Sequence, residues 1–125
     1  MTPETPSFQQ LTRAVSGQLF GLRADVPELM KSFDDLSRAA LAAGALSEKT
    51  KELIAIALGV AGHCDACLGF HAKALVRLGA TKAELEEALG VAVYMGGGPS
   101  LMYSANALAA FAEFSAASPQ AREQT

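Results

Sequence analysis

Both cysteines and both histidines of the chain fall in one stretch, HCDACLGFH, residues 63–71. Cys64, Cys67 and His71 stand at i, i+3 and i+7, so on an α-helix all three share one face, with Cys64 in the first turn. The unsatisfied N–H groups and the positive end of the helix dipole stabilise an anion at that place. A thiolate is the reactive form of cysteine, and this position lowers the cost of making one. One turn beyond Cys67, the His71 imidazole can carry a proton near neutral pH. Glu52 is the next candidate, directly before the apolar run LIAIALGVAG of residues 53–62. If the two helices pack antiparallel across the Ala61–Gly62 turn, its carboxylate approaches His71 or the thiols. There it would accept a proton or orient the imidazole.

A metal site, a structural staple and a redox centre compete for these residues. Zinc could take Cys64, Cys67 and His71, with Glu52 or His63 as fourth ligand. Structural zinc usually joins two ligand clusters from separate loops, however, and the chain has no second one. The N-terminus, MTPETPSFQQ, has no basic start and no apolar signal core. A cytoplasmic address is therefore expected, where thiols stay reduced and a permanent disulfide is disfavoured. Redox chemistry without a metal or cofactor is the expectation. A lone C-x-x-C does not identify a fold, and no βαβ pattern supports a thioredoxin fold around it. Glu52 could instead serve only its helix dipole, and His63 reads as a loop residue before the motif helix.

The elements that must position these groups are helical. The chain has 125 residues, which suits a single domain over 1–125. Half of its residues are hydrophobic and 18% are charged, with Ala and Leu dominant and no Trp. Strand formers are comparatively few, so the expected class is all-α, a compact domain of about six helices. The net charge of −3, with no basic stripe or Lys/Arg cluster, argues against nucleic acid and against anionic lipid. The apolar run at 53–62 is too short to span a bilayer.

The first helix spans residues 8–20, with Phe8, Leu11, Val15 and Leu19 at helical spacing and Gly17 and Gly21 weakening its end. The second is expected to be capped by Asp25, with Pro27 in its first turn, and to stop at Gly44. Its apolar stripe is Leu29, Met30, Phe33, Leu36, Ala40 and Leu41. Ser47 caps the third, whose Leu53, Ile54, Ala57, Leu58 and Ala61 would face the core. The motif helix runs from Cys64 to Leu78 and stops at Gly79. Thr81 and Glu84 have capping-box spacing at the start of the fifth, which closes at residues 96–98. The last helix restarts behind Pro99. Tyr94, Met95, Met102 and Tyr103 are read as core residues with a pocket lining as the alternative. Residues 1–6 and 115–125 are expected to be flexible ends.

The combined pattern E52-…-C64-D-A-C67-L-G-F-H71 resembles the signature of the alkylhydroperoxidase D-like proteins of the carboxymuconolactone decarboxylase superfamily. The flanks agree: LSEKTKELIAIAL before the motif and HAKALVRLGATKAELEEALGVAVYMGGGPSLMYSANAL from His71 onward. The resemblance covers residues 27–114. It implies an all-helical fold with the redox C-x-x-C at a helix N-terminus, and a proton-relay site made of Glu52, Cys64, Cys67 and His71. Cys67 would be the thiolate that attacks peroxide and becomes a sulfenic acid. Cys64 would donate the proton and then resolve the sulfenic acid as a disulfide. Glu52 and His71 would relay the proton, and a dithiol reductant such as a lipoylated protein would reset the pair.

The implied function is a thiol-dependent (alkyl hydro)peroxidase or dithiol–disulfide oxidoreductase of antioxidant defence. The alternative is a carboxymuconolactone decarboxylase-type enzyme of small molecules without redox cycling. That branch generally lacks the cysteine pair. In one respect the chain departs from the pattern: the best-characterised family members carry a histidine directly before the second cysteine, and here it is Ala66. His63 lies before Cys64 and is not taken as its substitute. An apolar chain this short cannot readily bury every stripe within itself. The resemblance implies a homo-oligomer, a homohexamer with a trimer as the alternative, with the cysteine site close to a subunit interface.

Overall fold

The computed structural model describes residues 7–119, and those residues form six α-helices and no strand. Helix α1 spans Phe8–Asp25, α2 Pro27–Leu41, α3 Glu48–Ala61, α4 Asp65–Arg77, α5 Lys82–Gly96 and α6 Gly98–Ala116. The all-α class and the helix count agree with the sequence reading. Most of the expected stops and caps do as well. The Ser47 hydroxyl accepts from the Thr50 N–H at the start of α3. Thr81 and Glu84 form a reciprocal capping box on α5. Between α5 and α6, Gly97 has φ +75°, a left-handed conformation that glycine adopts without steric cost.

Helices α3 to α6 form the core. Ile56 and Val60 of α3, Leu68, Ala72 and Leu75 of α4, Leu85 and Leu89 of α5, and Ala107, Ala110, Phe111 and Phe114 of α6 pack together. Helix α4 lies between α3 and α6, α5 closes the other side of those two, and α1 crosses α4. The start of α1 is doubly tied. Ser7 and Gln10 form a capping box, and the Glu113 carboxylate of α6 accepts from the N–H groups of Phe8 and Gln9 at 2.9 and 2.8 Å. Helix α2 meets only α1 and the start of α3.

Several boundaries and faces differ from expectation. Helix α1 continues through Gly17 and Gly21 to Asp25, because two exposed glycines cost less than the turn they would otherwise need. Asp25 therefore ends α1 and does not cap α2; that position falls to Val26, which has no side-chain cap. Helix α2 stops at Leu41, before Gly44. On α3 the buried face is Glu52, Ile56, Gly59 and Val60, while Ile54, Leu58 and Ala61 point outward. Tyr94, Met95 and Met102 are exposed, and of that group only Tyr103 packs on the core. Ser115 and Ala116 complete α6, so the tail expected from residue 115 begins later. The flexible ends expected at 1–6 and 120–125 lie outside the described residues.

Candidate active site

The α3–α4 connection is short and tightly bonded. The Gly62 N–H donates to Leu58 O at 2.8 Å, the His63 N–H to Val60 O at 3.2 Å and the Cys64 N–H to Gly59 O at 3.0 Å. These bonds turn the chain back on itself and set α3 and α4 antiparallel. Cys64 is the N-cap of α4, and its Sγ accepts from the Cys67 N–H at 3.2 Å. The two sulfurs stand at disulfide-bonding distance with their Cα atoms 5.2 Å apart. A C-x-x-C pair thus occupies the start of a helix, as the sequence reading expected. Both cysteines are half-buried.

Gly59 lets α3 come close behind the pair. A Cβ there would lie 3.3 Å from both Cys67 Cβ and Leu68 Cδ2, tighter than ordinary packing. The same close approach brings Glu52 to His71. Glu52 is 4% exposed, and its Oε2 lies 2.6 Å from His71 Nδ1. A carboxylate this deep must be hydrogen-bonded to be tolerated. Its bond to Nδ1 fixes the imidazole ring and leaves Nε2 as the nitrogen free to meet another group. His71 lies one turn beyond Cys67 on the same face, partly open to solvent. So Glu52 is more than a dipole partner for α3: it reaches across to α4 and holds the histidine.

Two contacts from α6 complete the surroundings. The Tyr103 ring stacks on His63, with centroids 4.7 Å apart and 12° between planes. The Asn106 amide donates to Asp65 Oδ1 at 3.0 Å. Asp65 and Asn106 were not singled out in the sequence. The spacing of Tyr103 and Asn106, three apart on an apolar helix, is the one signal that places both on a single face. His63 is a loop residue, as expected. Among the described residues no three His, Cys, Asp or Glu side chains form a metal-holding group. Glu52 is committed to His71 and the His63 ring to Tyr103. A cleft of about 600 Å³ lies elsewhere, lined by Arg13, Lys73, Arg77 and Phe114 among others, and holds none of these residues.

The sequence profile of the carboxymuconolactone decarboxylase family matches residues 27–122. The chain belongs to that family. An uncharacterized protein of Cupriavidus necator is 40% identical over 97 residues, covering 78% of this chain and 86% of the relative. The crystal structure of a carboxymuconolactone decarboxylase family protein from Legionella pneumophila superposes with a TM-score of 0.85 at 57% identity, covering 86% of this chain and 96% of that one. A Thermotoga maritima structure superposes with a TM-score of 0.74 at 24% identity, over 94% of this chain and 97% of that one, which speaks to the fold alone. Membership agrees with the resemblance to the alkylhydroperoxidase D-like proteins of the same superfamily. No helix among the described residues is long and apolar enough to cross a membrane.

Proposed function

We propose that the chain is a thiol-dependent peroxidase, or more broadly a dithiol–disulfide oxidoreductase of antioxidant defence, acting in the cytoplasm. The observation that carries this reading is the buried Glu52 carboxylate bonded to His71, one turn from a C-x-x-C at a helix start. A buried carboxylate that orients an imidazole beside two thiols is a proton-handling device, and a decarboxylase without redox cycling has no use for the cysteine pair. Family membership keeps that second activity as the runner-up.

The reaction divides into three steps. The Cys67 thiolate attacks the outer oxygen of a hydroperoxide, the O–O bond breaks, and the alkoxide leaves as an alcohol with a proton from the relay. Cys67 is then a sulfenic acid. The Cys64 sulfur bonds to the Cys67 sulfur and water leaves. An external dithiol, of which a lipoylated protein is one source, reduces the disulfide and is itself oxidised to one. Glu52 and His71 remove and return the protons. The α4 N-terminus lowers the cost of the thiolate at either sulfur. The working form is a homohexamer, with a trimer as the alternative; the exposed apolar stripe of α2 supports an assembly.

The test is peroxide reduction by single-cysteine variants, followed by a sulfenic-acid trap and peptide mass. Cys67→Ser should abolish turnover. Cys64→Ser should leave a trapped sulfenic acid on Cys67. Sulfenic acid trapped on Cys64 in the Cys67→Ser chain would reverse the two roles.

A further inference from the structure

A chain of net charge −3 gathers cations at one place. The cleft of about 600 Å³ between α1 and α4 is walled by Gln9, Thr12 and Arg13 of α1 and by Lys73, Val76 and Arg77 of α4, and no Asp or Glu lines it. The two helices close tightly at one point, where a Cβ on Gly69 would lie 2.7 Å from Thr12 Cγ2. Beside that contact the cleft opens, and the buried Phe114 of α6 adds apolar surface to it. Both walls are fixed. Glu113 ties the first turn of α1 to α6, and α4 is packed into the core through Leu68, Ala72 and Leu75. Small-molecule sites span roughly 300–1,000 Å³ and are largely framed before the ligand arrives, and this cleft meets both conditions.

The cations at the cleft differ from those elsewhere on the chain. Arg23, Lys31, Arg38 and Lys49 each pair with a carboxylate, and Lys51 donates to Ala42 O. Arg13 and Lys73 make no hydrogen bond or ion pair among the described residues. Lys73 and Arg77 stand one turn apart on the same face of α4. Arg77 Nη2 donates to Glu48 Oε1 at 3.0 Å, which leaves most of the donors of its guanidinium fork open. The two acids bonded to the walls are both engaged: Glu48 on Arg77, and Glu113 on the N–H groups of Phe8 and Gln9. With Glu48 offsetting Arg77, the charges of Arg13 and Lys73 remain uncompensated beside the apolar surface of Val76 and Phe114.

We propose that this cleft is a binding site for an organic phosphate monoester. Arg13, Lys73 and the open donors of Arg77 hold its dianionic head, and its apolar body lies on Val76 and Phe114. Two uncompensated cations match a dianion. A phosphate monoester carries about −1.5 to −2 charges at neutral pH, where a carboxylate carries one. Guanidinium forks fit phosphate oxygens two at a time, and a lysine adds a point charge. The apolar surface gives a body attached to the phosphate something to cover, which a bare phosphate ion lacks. The cleft holds none of Glu52, Cys64, Cys67 and His71, so this site stands independently of the redox reading.

Phenyl phosphate is the probe, titrated by calorimetry into the full-length chain at neutral pH and low salt. Saturable binding of one molecule per chain is expected. Arg13 and Lys73 are exposed, so their replacement leaves the fold intact, which helicity checks. Arg13→Gln and Lys73→Gln should each weaken binding about tenfold, the loss of one charge-assisted contact. Lys82→Gln, at the start of α5 and outside the cleft, should leave the affinity unchanged. Benzoate keeps the ring with a single charge and should bind roughly tenfold more weakly. Inorganic phosphate keeps the head without the ring and should bind roughly threefold more weakly. No saturable binding of phenyl phosphate overturns the proposal, and so does wild-type affinity in both cleft variants. Benzoate binding as tightly as phenyl phosphate overturns the assignment of a dianion, and inorganic phosphate binding as tightly overturns the apolar half of the site.

Discussion

Helices α2 and α4 carry apolar residues at the same helical spacing and meet opposite environments. Leu68, Ala72 and Leu75 of α4 are wholly inaccessible. Leu29, Phe33 and Leu36 of α2 are 62%, 61% and 63% exposed, and of that helix only Met30 is buried. The difference lies in what each helix has to pack against. Helix α4 is enclosed by α3, α6 and α1, so its stripe is completed within the chain, and the site at its start inherits that rigidity. Helix α2 leans on α1 alone over most of its length. Its stripe is written as clearly as that of α4 and is finished by nothing among the described residues. An apolar strip of this kind is what soluble monomers avoid and what assemblies bury. The candidate site is thus backed from within the described chain, and the proposed assembly would give α2 its partner.

The comparison breaks first at the level of assembly, where the largest effect is expected. Replacing Leu29, Phe33 and Leu36 together with Glu removes three large apolar groups from the proposed interface, roughly 5 kcal/mol or more. Light scattering at micromolar concentration should give a hexamer, or a trimer, for the wild-type chain and a smaller species for the triple variant, with helicity kept. A stable wild-type monomer would remove the explanation for α2.

Next come single truncations that set the two stripes side by side. Leu68→Ala should lower the unfolding free energy by about 2–5 kcal/mol, because it leaves a cavity in a closed core. Leu36→Ala, measured by urea unfolding in a Leu29→Glu, Phe33→Glu background that keeps Leu36 and lacks assembly, should stay within about 0.5 kcal/mol. Equal losses at both positions would mean that α2 packs on its own chain in solution.

The smallest effect concerns the clasp between α1 and α2. Arg23 and Asp34 form an ion pair there, and Asp35 pairs with Lys31 and Arg38 along α2. The hydrogen bond from Arg23, with the charges of Arg23 and Arg38, holds the Asp34 carboxyl below its ordinary value of 3.8. Asp35 is lowered likewise by its bonds to Lys31 and Arg38. A depressed carboxyl stabilises the fold above its ordinary pKa, and that contribution is lost as pH falls through the lowered value. Both pairs are exposed and weak. Hydrogen exchange at pH 6 and at pH 3, corrected for intrinsic rates, should show α1–α2 losing slightly more protection than α3–α6. A uniform change along the chain would sink the clasp.

Much of this architecture could be read from residue types. Ser47, Thr81 with Glu84, Gly79 and Pro99 mark helix ends by local chemistry, which needs no knowledge of the fold. The i, i+3, i+7 spacing put Cys64, Cys67 and His71 on one face, and the short 61–62 turn allowed Glu52 to reach them. What could not be read depended on contacts distant in sequence. From residue 53 on, helix α3 is apolar all round, so its stripe had little contrast, and the position of α4 and α5 decided that Glu52, Ile56, Gly59 and Val60 turn inward. The missing cap of α2 was invisible because Asp25 has the right chemistry for one and was consumed by α1. The grip of Tyr103 and Asn106 on residues 63 and 65, and of Glu113 on the start of α1, spans about 40 to 105 positions of chain and leaves no local trace.

The central claim is that Cys64 and Cys67 cycle between dithiol and disulfide. The most direct measurement is a count of free thiols per chain before and after one equivalent of hydroperoxide, and again after adding a dithiol. The account predicts rapid loss of both thiols to an intramolecular Cys64–Cys67 bond and full recovery with the dithiol. Two thiols that persist through peroxide treatment, or bridges formed only between chains, would contradict it.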